Sequence, residues 1–136
     1  MHPTRLLRGL TLLGAVLLAG CSLLLVPSAA VPADASPAVW HLDPDAPPLG
    51  PEATSFVAMV TERGCASGRD ISGLVLPPVI EYANEAVTVS LYVEPLPAGA
   101  QDCQGNLPTR VTIELSEPLG DRQLVDGIGS AEDEAV

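Results

Sequence analysis

The chain has 136 residues, 17 of them acidic against six arginines and no lysine, for a formal net charge of −11. That length accommodates one small domain, and the negative balance excludes the electrostatic footprint of a nucleic-acid binder or of a protein held on anionic headgroups. With one Phe, one Trp and two Tyr, the chain also lacks aromatic platforms on which sugars or nucleobases stack.

Arg5 and Arg8 precede an apolar run containing Leu10, Leu12, Leu13, Val16, Leu17 and Leu18. The run is shorter than a full membrane span and suits a secretory signal. Leu18-Ala19-Gly20-Cys21 follows and resembles the lipobox of bacterial lipoproteins. Leu18 stands at the aliphatic position, Ala19 and Gly20 are the small residues before the cut, and Cys21 matches the modified cysteine. The resemblance implies that residues 1–20 are a signal peptide and that the Cys21 thiol carries a diacylglyceryl group. Two acyl chains, at about 0.8 kcal/mol per buried methylene, hold a protein on a membrane where one chain is marginal. The competing reading is an uncleaved anchor helix, since Leu23, Leu24, Leu25 and Val26 prolong the apolar stretch. Loss of the signal would leave four arginines against 17 acids, a net charge of −13. This charge reads as solubility, or as a preference for a cationic partner or divalent ions.

Pro27, Pro32, Pro37, Pro44, Pro47, Pro48 and Pro51 crowd the next stretch. Proline fixes φ and removes a donor, so residues 21–53 are expected to form an extended linker without helix or central strand. Trp40, inside it, is expected to dock onto the following domain, with a ligand-binding Trp as the alternative. His41 is the one histidine after the signal and reads as a surface residue. Asp43-Pro44-Asp45 is a weak cation candidate without the further oxygens and terminal Glu of a calcium loop.

A β domain is expected over 54–128. Phe56, Ala58 and Val60 alternate with Val57, Met59 and Thr61, apolar on both faces as an interior strand requires. Val79, Ile80 and Tyr82 follow Pro77-Pro78 and predict an edge strand or one broken by a kink. Val87, Val89, Leu91 and Val93 alternate with Thr88, Ser90, Tyr92 and Glu94, the mark of a half-buried strand. Val111, Ile113 and Leu115 repeat the pattern against Arg110, Thr112 and Glu114, and a last short strand is expected within 121–125. These elements predict an all-β fold, a small antiparallel sandwich or incomplete barrel of about five strands. Residues 129–136 read as a disordered acidic tail.

The three cysteines divide into Cys21 and a pair, Cys65 with Cys103, each in a turn-rich loop after a predicted strand. A disulfide fits an exported protein; a redox or metal pair is the alternative, although redox cysteines usually sit as Cys-x-x-Cys and zinc needs three or four ligands. The staple would join Cys65-Ala66-Ser67-Gly68-Arg69-Asp70 to Gln101-Asp102-Cys103-Gln104-Gly105-Asn106. That makes Ser67, Arg69, Gln104 and Asn106 candidate binding-loop residues. In the other reading Gly and Asn serve turns and Arg69 pairs with a nearby acid.

Cys65-Ala66-Ser67-Gly68, Cys103-Gln104-Gly105-Asn106 and Glu117-Pro118-Leu119-Gly120-Asp121-Arg122 carry a further resemblance over residues 54–128, to a small disulfide-bonded domain of secreted proteins and lipoproteins of high-GC bacteria. It implies no activity and no site residues. No Gly-x-Ser-x-Gly elbow, phosphate-binding Gly loop or His-based triad occurs, so no catalytic residues, metal or cofactor are expected. The expectation is a non-enzymatic module anchored to the cell membrane through lipidated Cys21 on the extracytoplasmic face. Its partner would be an envelope protein or the cell wall, not nucleic acid. The alternative is an accessory sensor or inhibitor subunit of an envelope enzyme or receptor.

Overall fold

The computed structural model describes residues 30–129. The signal peptide expected over 1–20, the lipobox with Cys21, and residues 130–136 of the expected tail lie outside the described residues. Among the described residues the chain is all-β, with six strands: β1 (Ser36–Leu42), β2 (Ser55–Glu62), β3 (Val79–Tyr82), β4 (Ala86–Val93), β5 (Thr109–Glu114) and β6 (Gln123–Asp126). They form one open sheet in the order β3-β4-β1-β2-β5, with β6 paired to β4 off that path. All neighbours are antiparallel except β4 and β6. Among the described residues no helix is long and apolar enough to cross a membrane.

The strong alternation of β4 makes it the organising strand. Val87, Val89, Leu91 and Val93 are wholly buried, each removing apolar surface worth about 1.5–3 kcal/mol from water. One edge of β4 carries β3; the other is shared, with Ala86–Val89 taken by β6 and Leu91–Val93 by the start of β1. Beyond Ala38, β1 therefore splays away from β4, and the sheet curls around Trp40, Phe56, Ala58, Val60, Ile113, Leu115 and Leu119. Pro77-Pro78 act as both expected readings at once. Val75 lies opposite Val93 and Val79 opposite Ser90, so four steps on one side face three on β4. This one-residue bulge sits where two consecutive prolines cannot donate.

The linker expected over 21–53 is corrected by β1. Ser36–Leu42 is an interior strand between β4 and β2, so the domain begins well before residue 54. The reason lies in the direction of one missing donor. Pro37 O accepts from Arg63 N at 2.9 Å, past the end of β2, so the side of Pro37 that lacks N–H faces a position where no strand asks for one. Trp40 is more than a docked side chain: its indole N–H donates to Val89 O at 2.8 Å, its backbone N–H donates to Asp126 Oδ2 at 3.0 Å, and its ring lies 5.1 Å from Phe56. It fills the split where β1 leaves β4. His41 is exposed, as expected.

Strand directions divide the loops between two poles. The pole where β1 begins holds the segments 63–78 and 94–108; the opposite pole holds 43–54, 83–85 and 115–122. The second pole is closed across the open edges by Tyr82, whose hydroxyl accepts from Ser116 N at 2.8 Å while Arg122 stacks over its ring.

Candidate functional site

The two loops expected to be stapled do meet, at the pole where β1 begins. Cys65 and Cys103 are disulfide-bonded, with Cα atoms 4.3 Å apart. Around the bond the backbone is locked by Ser67. Its N–H donates to Asp102 O, its hydroxyl accepts from Asp102 N and donates to Gln101 Oε1, and its carbonyl accepts from Gln104 Nε2. Ser67 has φ 54° and Gly68 φ 61°, and Arg69 N donates to Ala66 O at 3.1 Å, so 66–69 is a turn with two left-handed central residues. Glycine is favoured at 68 by its left-handed φ, and a Cβ there would stand 3.2 Å from Gly105 O and displace the Gln104 amide, 2.7 Å away.

Beneath the staple lies a buried charge. Inward positions of β2 run Phe56, Ala58, Val60 and then Glu62, which is 2% exposed. A buried carboxylate is tolerated only when paired and hydrogen-bonded. Arg69 supplies both, with Nε 2.9 Å from Glu62 Oε2 and Nη2 2.7 Å from Oε1. The planar fork meets the carboxylate two-to-two, and the remaining donors reach Glu94 O and Pro95 O. The Glu62 carboxylate holds the guanidinium above its ordinary value against the opposing effect of burial. Asn106 completes the layer, its amide donating to Glu62 O at 2.7 Å and Gly64 O at 3.1 Å, while its Oδ1 is buried with no hydrogen-bond partner.

Ser67, Arg69, Gln104 and Asn106 are thus brought together, and each spends polar groups on hydrogen bonds within the protein. The Ser67 proton is directed at an amide oxygen, which orders the loop and gives the hydroxyl no base to activate it. Arg69 pairs with an acid, as one of the two sequence readings holds. The arrangement joins β2, the 63–78 loop and the 94–108 loop, and the first of these loops sends Ile71, 1% exposed, into the core.

Asp43, the weak cation candidate, is also occupied. Its Oδ1 accepts from Asp45 N at 2.9 Å and its Oδ2 pairs with Arg110 at 2.7 Å. At the same pole a cavity of about 230 Å³ opens between the proline-rich loop and β2, lined by Pro47, Pro48, Leu49, Ala53, Phe56 and Val57. Among the described residues no group of three or more His, Cys, Asp or Glu could hold a metal ion. No protein-family model, curated protein or solved structure matches the chain.

Proposed function

We propose that this protein is a lipid-anchored binding or structural module on the extracytoplasmic face of the cell membrane, without enzymatic activity. The observation that carries the reading is the Cys65–Cys103 disulfide. Such a bond belongs to an oxidising compartment, and it takes both cysteines other than Cys21, the residue that matches the lipidation site. Membership of the small disulfide-bonded domains of high-GC bacteria belongs to the same proposal.

The early start of β1 sharpens the geometry of the anchor. Only residues 22–35 separate Cys21 from β1, and 32–35 form the turn that launches it, so a fully extended tether over 22–31 spans at most about 36 Å at roughly 3.3–3.6 Å per residue. The tether enters at the stapled pole, which favours the opposite pole and the sheet faces for contact with an envelope protein or the cell wall.

The test is Cys21→Ala in the full chain, followed by metabolic acyl labelling, membrane fractionation and protease treatment of intact cells. Loss of label and release from the membrane are expected; a variant still labelled and membrane-bound refutes the anchor. Recovery of one stoichiometric protein partner by the processed chain would favour the accessory sensor or inhibitor subunit, and retention on purified cell wall the structural role.

A further inference from the structure

We propose that the free edge of β5 is a self-association surface, at which two copies of this chain pair antiparallel about a two-fold axis through Thr112. The proposal is independent of the anchoring reading. β5 ends the strand order, paired with β2 alone. Leu115 N donates to Thr54 O, and this fixes the parity of the ladder. Thr109, Val111 and Ile113 turn their backbone groups toward β2, whereas Arg110, Thr112 and Glu114 present N–H and C=O to the open side.

The two edges of the sheet are not equivalent. β3 has four residues and is preceded by the Pro77-Pro78 bulge, both features that blunt an edge. β5 has six residues and no proline within it. Its outward backbone groups have no strand partner among the described residues.

Charge selects the occupant. On a chain of net charge −11, most surfaces repel a second copy. Arg110, Thr112 and Glu114 are exposed on the outer face of β5, one cation and one anion flanking a neutral residue; Arg110 holds Asp43 through Nη2 and, with its side chain 61% exposed, keeps its other donors for a second carboxylate. With Thr112 opposite its own copy, Arg110 faces Glu114 of the second copy, and the two-fold axis repeats the pair. All three residues are then hydrogen-bonded pairs, with about six inter-chain bonds, and half-buried Val111 faces Ile113 of the second copy. A slip of two residues in either direction leaves both Arg110 and Glu114 without an opposite charge, and a parallel pairing sets like charges side by side, which is destabilising. A closed two-fold dimer also uses the edge up and ends the association.

The full chain is purified in detergent and its mass followed by sedimentation over a range of concentrations. Thr112→Cys on β5 and Glu81→Cys on β3 are treated with a short bismaleimide and compared with the unsubstituted chain. A dimer is expected, with a dissociation constant raised on the order of tenfold by Glu114→Arg, which replaces two attractive pairs with repulsive ones. Thr112→Cys is expected to give a cross-linked species of twice the mass, and Glu81→Cys to stay at the background of the unsubstituted chain. A monomer at every concentration overturns the proposal, as does a dimer indifferent to Glu114→Arg, equal cross-linking from Glu81→Cys, or a Thr112→Cys product joined to a different protein. Should Glu114→Arg fail to fold, the comparison of Thr112→Cys with Glu81→Cys decides alone.

Discussion

Arg69→Ala is expected to be among the most damaging single substitutions in the domain. It removes the guanidinium from a carboxylate whose side chain is wholly buried, at a position where Arg69 itself is 17% exposed. Breaking a buried pair by deleting one partner costs about 3–5 kcal/mol, because the surviving charge stays desolvated. The domain, described over 30–129, should have a total stability of about 5–15 kcal/mol, so the substitution removes about a fifth of it or more. The internal control is Arg122 with Glu117, whose side chain is 52% exposed: Glu117→Ala should cost under about 1 kcal/mol, since water already solvates that charge. Glu62→Gln should fall between the two, because Arg69 keeps its contacts with Glu94 O and Pro95 O. The assay is urea unfolding of the oxidised protein, with urea preferred to guanidinium so that ion pairs are not screened. An Arg69→Ala cost within 1 kcal/mol of the Glu117→Ala cost would refute the assignment of Glu62 as a buried, Arg-dependent charge.

Reduction of Cys65–Cys103, which closes a separation of 38 residues, should lower stability by about 3–4 kcal/mol in the chain-entropy account, read as a fall in the urea midpoint with reductant. Trp40→Phe keeps a smaller aromatic ring and deletes the donor to Val89 O; a buried carbonyl left unpaired costs about 1–3 kcal/mol, the lost ring volume adds to that, and an unchanged midpoint would show that the indole bond contributes nothing. Since Trp40 is the one tryptophan and is buried, its emission should shift to the red in step with unfolding. Asp70 is held below the usual carboxylate range by the Ser72 backbone N–H, then by the Ser72 side chain. The folded value lies below the unfolded one, so its stabilisation is present above the unfolded value and fades as pH falls through the folded one. Asp70→Asn should therefore narrow its stability gap from the parent only on the acid side of that range; a gap constant with pH refutes the titration.

Much of the fold was legible because half-buried strands announce themselves by alternation. Val87, Val89, Leu91 and Val93 read inward from the sequence and are inward; Ile113 and Leu115 likewise. The prolines at 77 and 78 and the short strand near residue 123 were legible from donor loss and turn chemistry. β1 was not, because the sequence signal for strands is negative at proline and says nothing about which side of a residue lacks its donor. Pro37 is harmless only because β2 stops at Glu62 and turns away, a fact about another strand. The same holds for Pro32, whose carbonyl accepts from Ala35 N in the turn that launches β1.

The stapled loops show a different limit. Ser, Arg, Gln and Asn on a loop braced by a disulfide are the composition of a binding site and equally that of a polar clasp, since both need donors and acceptors that outnumber apolar atoms. What separates them is where the groups point, and one signal for that was present in the sequence. Continuing the alternation of Phe56, Ala58 and Val60 by one more step places Glu62 inward. A carboxylate on an inward position must find a cation, and of the arginines near it in the chain Arg69 is the one that a turn could fold back. Followed one step further, the period of two would have assigned Arg69 to Glu62 and made the surrounding polar residues its supports. The clasp then fixes the pole where β1 enters, and leaves the unpaired groups of β5 and the proline-lined cavity of the far pole as the surfaces with unmet chemistry.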